Sequence, residues 1–424
     1  MKGSLWPVVL AVAVAGGAVA LPALAAAQSR TDQCVTCHAS LPESRLAAPV
    51  RAFSGDVHQE RSFVCVDCHG GDPTSPDRAQ AHSTGRGYRG KPAGPQVIAT
   101  CARCHSDATF MHKFAPSQRV DQAIEYATSV HGKRQAAGDT RVATCVSCHG
   151  AHGVRQVRDP RSPAYATNVA GTCGACHSSP DHMKGYTRAD GSAIPTTQRA
   201  EYERSVHHGA LVTRNDMSAP TCNDCHGNHG AAPPGVGSLT TVCGTCHAVF
   251  QAKFASSVHG QIFEKACIEC HGNHAVTEPS DSLLGTSKAS ICASCHEDKD
   301  DPGFVGATRM RGAVDRLVNE INASSALIDR VRNAGMEVGD QDLALNEARS
   351  KLVLARTEVH AFDPEALDKV VSEGTGILGG VNRAGAEALD ELAYRRRGLF
   401  VSLALILLVV TALGLKIRNL DRMR

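Results

Sequence analysis

The sequence contains very few aromatic residues for its length. Its 424 residues include 10 Phe, 6 Tyr and 1 Trp, which together make up 4% of the chain. The 42% hydrophobic content is carried largely by alanine and by two apolar segments near the chain ends. A cytosolic enzyme of this size normally buries a core of large aliphatic and aromatic side chains, so the composition argues against that class.

The chain also lacks a strong charge of either sign. It has 44 basic and 42 acidic residues, which gives a formal net charge of +2. This balance excludes a nucleic-acid binder that works through overall charge, and it excludes an acidic disordered tail. Charged residues make up 20%, too few for a disordered chain extended by charge repulsion.

Cysteine and histidine, in contrast, are abundant, with 18 and 21 residues. Every cysteine falls in the pattern Cys-x-x-Cys-His, which occurs nine times and is the attachment site of a c-type heme. The two thiols add to the porphyrin and the histidine binds the iron from one face. The predicted heme-attaching cysteines are Cys34, Cys37, Cys65, Cys68, Cys101, Cys104, Cys145, Cys148, Cys173, Cys176, Cys222, Cys225, Cys243, Cys246, Cys267, Cys270, Cys292 and Cys295. The predicted proximal iron ligands are His38, His69, His105, His149, His177, His226, His247, His271 and His296.

Other uses of paired cysteines do not explain the pattern. A redox dithiol or half of a zinc site contains a single Cys-x-x-Cys. Neither requires a histidine directly after the second cysteine, and neither explains nine repetitions of the motif. A disulfide framework would not keep every spacing at two residues. The sequence therefore predicts nine covalently bound c-type hemes in residues 28–302, or about 30 residues per heme, too few to build a conventional core around each one. The porphyrins would then supply most of the apolar interior and stack closely.

The N-terminus has the features of a secretory signal. Lys2 precedes an apolar stretch from Leu5 to Leu21, and small residues follow up to Ala27. This pattern predicts a signal peptide over residues 1–27 and export from the cytoplasm, with an uncleaved anchor as the alternative.

The C-terminus carries an apolar segment long enough to cross a bilayer. Residues 398–417 are interrupted by few polar side chains, which predicts a transmembrane helix rather than a buried soluble one. Basic residues flank it on both sides, so the positive-inside rule does not decide the orientation. Export of the heme domain does: it predicts a periplasmic heme domain, a single anchor in the inner membrane and a cytoplasmic tail at 418–424.

Histidines outside the motifs follow a repeat. Ser-Val-His precedes Cys145, Cys222 and Cys267, and each of these motifs continues as Cys-His-Gly-x-His before a second motif. A looser copy begins at Val57, which gives four two-heme modules after a lone heme at Cys34. The eight candidate distal ligands are His58, His82, His131, His152, His207, His229, His259 and His274.

Some pairings are excluded by chain geometry. His152 lies three residues after His149, a span of at most about 11 Å, so it cannot reach round the porphyrin to the opposite face. We therefore expect His152, and likewise His229 and His274, to bind neighbouring hemes. A ninth distal ligand is open among His112, His182, His360 and His208, with Met111 and Met183 as further candidates.

Residues 303–397 contain no cysteine and show helical periodicity. Gly335 and Gly339 indicate a turn, and Asp363-Pro364 is typical of a helix start. We predict a small antiparallel bundle that joins the heme domain to the membrane helix. Within it, His360 is either a polar flank of the bundle or a ligand of the last heme. The predicted fold is thus mainly α with much irregular loop: a heme-packed domain, a helical bundle and one C-terminal transmembrane helix.

The paired motifs resemble those of multiheme c-type cytochromes with doubled CxxCH motifs. Residues 30–300 are similar to the group of the NapC/NirT-type tetraheme quinol dehydrogenases and the octaheme oxidoreductases. The chain differs from the NapC/NirT type in carrying its membrane helix at the C-terminus. The resemblance implies work in anaerobic respiration beside a cytochrome b-type or other quinone-reactive membrane subunit, with periplasmic redox proteins as further partners.

These features predict an electron-transfer protein without catalytic residues rather than an enzyme, with a subunit of a quinol-oxidising complex as a further possibility. Two histidines on each iron leave no open position for a substrate. The alternative is a reductase for nitrite, hydroxylamine or a sulfur oxyanion, which needs one open heme. A third hypothesis is a scaffold or filament subunit. The predicted membrane helix argues against a free filament.

Overall fold

The computed structural model describes residues 32–235 and 238–423. The predicted signal peptide therefore lies outside the described residues. The described residues are 63% helical and contain no β-strand, only an isolated bridge between Thr187 and Ala193. This confirms the predicted class, mainly α with much irregular loop.

Most helices are short. The α-helices are α1 Gln33–Ala39, α2 Ser44–Phe53, α3 Cys65–His69, α4 Arg78–Ala81, α5 Pro95–His105, α6 Ala108–Met111, α7 Gln122–Thr128, α8 Val130–Ala136, α9 Cys145–His149, α10 Ala166–His177, α11 Pro180–Met183, α12 Gln198–Tyr202, α13 Val206–His208, α14 Cys222–His226, α15 Leu239–Gly244, α16 Ala248–Ala255, α17 Val258–Ile262, α18 Ile268–His271, α19 Pro302–Asn333, α20 Gly339–Glu358 and α21 Pro364–Arg422. Short 3₁₀ segments lie at Gln59–Arg61, Thr84–Arg86, Asp281–Leu283, Cys292–Ser294 and Val359–Ala361, and a π turn lies at Gly209–Thr213.

The chain forms two compact units. The first runs to Val120 and includes Thr144–Ser162, and the second consists of Asp121–Ala143 and everything from Pro163 onward. Because the segments alternate, the first unit holds the motifs that begin at Cys34, Cys65, Cys101 and Cys145. The other five motifs and the three long helices belong to the second unit.

A continuous apolar core exists only in the bundle of α19, α20 and α21 among the described residues. Val314, Leu317, Ile328, Leu367 and Leu378 are all fully buried there. Burying each such side chain stabilises the bundle by about 1.5–3 kcal/mol. In the heme region the buried apolar residues are few and scattered, as expected if porphyrins fill its interior.

Helix boundaries in the bundle follow local capping chemistry. The Asp301 carboxylate accepts a hydrogen bond from the Phe304 amide, and Pro302 occupies the first turn of α19. Asp363 caps α21 in the same way, with Pro364 following it, so the helix start predicted at Asp363-Pro364 is confirmed.

Helix α21 runs without interruption from the bundle into the apolar C-terminal segment. Its most apolar window has a mean hydropathy of 2.7 and is entirely exposed, so it is long and apolar enough to cross a membrane. The helix continues through the glycines at 374, 376, 379 and 380. Gly374 lets α21 approach α19 closely, because a Cβ there would lie 2.9 Å from the Leu317 side chain.

This close approach predicts opposite effects for two neighbouring glycines. Gly374→Leu should overpack the core and lower the stability of the bundle by about 1–3 kcal/mol. Gly376→Leu should be neutral or stabilising by up to about 1 kcal/mol, because nothing lies within 4 Å of a Cβ there. Thermal unfolding of the full-length protein in detergent, followed by circular dichroism, compares them. Equal unfolding midpoints for both variants would contradict the packing account.

Candidate heme-binding site

Seven of the nine Cys-x-x-Cys-His motifs lie in about one turn of α-helix, whereas those that begin at Cys243 and Cys292 start in a helical turn and continue beyond its end. In α3, α9 and α14 the motif is the whole helix, whereas α5 and α10 are longer and end at the motif histidine. Residues three and four apart lie on the same helix face. One turn therefore presents two thiols and an imidazole to the same side, the donor set that a c-type heme requires. None of the cysteines is in a disulfide bond in the described part of the chain.

A glycine directly after the motif ends four of these helices. Gly150 has φ +81° and ψ 165°, and Gly272 has φ +71° and ψ −177°, a region of backbone conformation that is essentially restricted to glycine. The chain turns away from the helix at this point. The histidine two residues later, as at His152 and His274, is thereby directed away from the motif that precedes it.

The Ser-Val-His segments are helix starts. Ser129, Ser205 and Ser257 are buried, and each hydroxyl accepts a backbone N–H bond at the start of α8, α13 or α17. The histidine is the second residue of each helix, so the cap fixes the backbone that carries it. In two of these segments a glycine comes directly after the histidine and lies against the backbone of the preceding helix. A Cβ on Gly132 or Gly260 would lie about 2 Å from the carbonyl oxygen of Tyr126 or Phe254, inside van der Waals contact.

Eight motif histidines each face a histidine from outside the motifs. All eight ring-centroid distances lie between 6.0 and 6.3 Å. Two imidazole nitrogens that bind one metal ion from opposite sides, each about 2 Å from it, place the ring centroids about 6 Å apart. The pairs are His38 with His82, His69 with His152, His105 with His58, His177 with His131, His226 with His274, His247 with His207, His271 with His360, and His296 with His259.

Seven of the eight candidate distal ligands are among these partners. The eighth candidate, His229, lies 3.6 Å from the Glu125 carboxylate and occupies the same place in its repeat as His152 and His274. Of the four candidates for the ninth ligand, His360 is the one in these pairs. His182 and His208 lie near tyrosine rings instead, at 6.4 and 5.4 Å, and His112 caps the C-terminus of α6. The assignment of all these histidines to iron stays a prediction.

The pairs connect distant parts of the chain. His152 faces His69 rather than His149, and His274 faces His226 rather than His271, each pair with nearly parallel rings at 15° and 14°. This is the arrangement that binding to a neighbouring heme requires. Each such pair would join two segments that are otherwise linked by long loops.

The second ring nitrogen of several histidines is held by a hydrogen bond. Nδ1 of His69 donates to the Gly90 carbonyl at 2.9 Å, and Nδ1 of His82 donates to the Arg78 carbonyl at 2.8 Å. Nδ1 of His58 donates to the carboxylate of Asp56 at 2.9 Å, and Nδ1 of His296 donates to Asp301. Such bonds fix the tautomer and leave Nε2 available for a metal.

Asp56 is the most buried of these acceptors. It is 1% exposed and also accepts backbone N–H bonds from His58 at 2.8 Å and Val154 at 2.7 Å. A buried carboxylate bound to an imidazole is a common outer partner of metal-binding histidines, because it orients the ring and raises its basicity.

Burial keeps the paired imidazoles neutral. Desolvation, with a smaller contribution from a neighbouring histidine, lowers the pKa of His105, His131, His177 and His271 below the usual range. A neutral imidazole has the free lone pair that an iron ligand needs. Two inward-facing neutral imidazoles beside two thiols fit a c-type heme.

Consecutive motifs touch through their cysteines. A hydrogen bond with the Cys101 thiol lowers the pKa of Cys145 to about 7, and one with Cys243 does the same for Cys267. Cys173 likewise lowers the pKa of Cys222.

Asp32 joins the first two motifs in a similar way. Its carboxylate accepts the backbone N–H of Cys34 at 3.0 Å and that of Cys65 at 3.3 Å. Burial, together with this carboxylate, raises the pKa of Cys34 to about 11 and that of Cys65 to about 12.

The cysteine contacts can be compared with the two-motif modules expected from the sequence. The repeat groups the motifs of Cys145 and Cys173, and those of Cys222 and Cys243. In the structure, the first cysteines that touch belong to successive modules, as with Cys173 and Cys222. The second cysteine of a motif, in contrast, lies near the other motif of its own module, as with Cys225 and Cys246. Neighbouring cysteines therefore occur both inside a module and between successive modules.

Comparison with known proteins gives one match. A family model described as the doubled CXXCH motif matches residues 259–301, which include His259, the last two motifs and His274. No curated protein matches, and no solved structure matches. The paired motifs support a multiheme c-type cytochrome with covalently bound c-type heme, and they imply electron transfer.

The serine caps generate a prediction with an adjacent control. The Ser257 hydroxyl donates to the Phe254 carbonyl at 2.7 Å and accepts the Gly260 N–H at 3.1 Å, whereas Ser256 is exposed. Ser257→Ala should lower stability by about 1 kcal/mol or more, and Ser256→Ala should change it by less than about 0.5 kcal/mol. Thermal unfolding of the heme-loaded protein, monitored by its visible absorption, distinguishes them. Similar midpoints would show that the cap does not stabilise the His259 segment.

Proposed function

We propose that this protein is a membrane-anchored nonaheme c-type cytochrome that transfers electrons between a quinone-linked membrane partner and periplasmic acceptors in anaerobic respiration. The observation that carries the proposal is the set of eight histidine pairs at 6.0–6.3 Å. Each pair would hold one heme iron. The remaining iron, which His149 would hold, is expected to have the same ligation.

The chain's own side chains favour electron transfer over catalysis. Bound heme supplies reversible one-electron exchange at its iron. With two histidines holding each iron, a substrate would have no open position on the metal. Hydrogen bonds to Nδ1 and burial hold the rings in place, which keeps the ligand set the same in both oxidation states.

The cysteine contacts support an electron path that follows the order of the motifs within each unit. In the second unit, Cys173 touches Cys222 and Cys243 touches Cys267. Cys225 and Cys270 lie beside cysteines of the next motifs, which help to raise their pKa values after the larger effect of desolvation. Every motif from Cys173 to Cys292 therefore neighbours the next one, so no porphyrin in this series is isolated.

The length of helix α21 limits where a membrane partner can reach the last heme motifs. The rise from Pro364 to Gly398, where the apolar segment begins, is about 50 Å along the helix axis. A tilt of up to about 40° would reduce the height above the bilayer to about 40 Å. The contacts between the bundle and the last motifs lie at the Pro364 end, as with Phe362 and His259. A quinone-linked partner must therefore deliver electrons to these motifs through a domain outside the bilayer.

Electron paramagnetic resonance of the oxidised full-length protein, with heme quantified on the same sample, tests the proposal. We expect nine hemes per chain and only low-spin ferric signals, unchanged by nitrite or hydroxylamine. A high-spin signal near one heme per chain that changes with nitrite would indicate an open site. That result would favour a reductase over an electron-transfer protein.

The buried carboxylate of Asp56 predicts a shift in one reduction potential. Asp56→Asn replaces the carboxylate that accepts the hydrogen bond from Nδ1 of His58 with a neutral amide. The imidazole should then donate less electron density to ferric iron. One heme should shift to a more positive potential in a spectroelectrochemical titration while the others keep theirs. Asp72→Asn is the control, since Asp72 pairs with Arg86 and binds no imidazole in the described structure. An unchanged or more negative potential in Asp56→Asn would contradict this role.

A further inference from the structure

The turn between α20 and α21 differs from an ordinary bundle connection. We call residues 358–363 the apical turn. Val359–Ala361 forms a 3₁₀ segment, and Phe362 then adopts φ +52°, a left-handed conformation that a bulky side chain rarely takes. Such strain persists only where surrounding contacts require it, and it is concentrated at functional sites.

His360 points from the apical turn to a motif histidine. Its ring centroid lies 6.1 Å from that of His271, with the rings 19° from parallel. Nδ1 of His360 donates to the Thr357 carbonyl at 3.3 Å, which leaves Nε2 on the other side of the ring. Burial lowers the pKa of His360, and the Phe250 ring packs against it at 4.9 Å. The geometry matches that of the seven pairs within the heme region.

Phe362 reaches the neighbouring pair. Its ring centroid lies 4.0 Å from that of His259, edge to face, and His259 in turn faces His296. The left-handed backbone at Phe362 is what turns this side chain back from the bundle toward the heme region. The apical turn therefore contacts histidine pairs of both of the last two motifs.

Ion pairs hold the apical turn in this position. Nζ of Lys253 lies 2.7 Å from the Glu358 carboxylate, which is largely buried. Arg356 binds both carboxylate oxygens of Asp281, at 2.9 and 2.7 Å, and Arg311 donates to the backbone carbonyl of the same residue. A bidentate pair and a partly buried pair contribute more than ordinary surface ion pairs.

We propose that the apical turn of the anchor bundle is part of the heme site. His360 is the distal ligand of the eighth heme, whose proximal ligand is His271, and Phe362 packs against the distal ligand of the ninth. The inference rests on the proposed function, since it requires bis-histidine hemes. It differs from the alternative in which His360 binds the last heme, because His259 faces His296 in the structure.

The consequence is that the membrane anchor and the heme region form one coordinated structure. The eighth iron would be held from one side by the heme region and from the other by the bundle that continues into α21. The bundle is then a ligand-donating element as well as a spacer. Movement of the bundle away from the heme region would open the eighth iron.

The test is His360→Ala in the full-length protein, with His182→Ala as the control, since both residues are candidates for the ninth distal ligand. His360→Ala should convert one heme per chain from low-spin to high-spin in the resonance spectrum, and added imidazole should restore the low-spin signal. His182→Ala should keep the wild-type spectrum. A fully low-spin His360→Ala protein that does not respond to imidazole would overturn the inference.

A second variant keeps the test decisive if the alanine protein fails to fold. His360→Met retains a side chain able to bind iron, and methionine ligation raises the potential of a heme. One heme should then titrate at a more positive potential than in the wild type. Unchanged potentials for all hemes would overturn the inference. A high-spin heme in the wild-type protein itself would instead contradict the proposed function, so the two failures are distinguishable.

Discussion

The small amount of polypeptide per Cys-x-x-Cys-His motif is the constraint on which the rest of the structure depends. About 30 residues per motif cannot enclose a porphyrin in a conventional protein core. The chain meets this constraint with one helical turn per motif and a second histidine from a distant segment. Paired imidazoles such as His69 with His152 then take over the role that long-range apolar contacts have in other proteins.

The same constraint explains why the heme region and the bundle are built so differently. The bundle has a continuous apolar core and needs no cofactor to bury it. The heme region has short helices set by local devices, such as the serine cap at Ser257 and the glycine at Gly150. These devices fix the backbone that carries the histidines next to them. The apical turn connects the bundle to the heme region, since His360 belongs to the bundle and faces a motif histidine.

Local chemistry was predictable from the sequence, and pairing was not. The motifs, the capped start of α21 and the apolar C-terminal helix depend on nearby residues, so they could be read from spacing and composition. The partner of His82 could not, because its local sequence departs from the repeat, yet it faces His38. The role of His360 was ambiguous because a residue beside an apolar stripe looks the same whether it flanks a bundle or faces a heme. The close packing at Gly374 was also hidden, since glycine in a helix reads as a weakness until the neighbouring Leu317 is seen.

The central claim is that each iron is held between two histidines. Near-infrared magnetic circular dichroism of the oxidised full-length protein tests it most directly, because the charge-transfer band of ferric heme reports the chemical identity of both axial ligands. We predict that the band of bis-histidine heme accounts for at least eight hemes per chain. A spectrum in which several hemes show histidine–methionine or high-spin ligation would contradict the account.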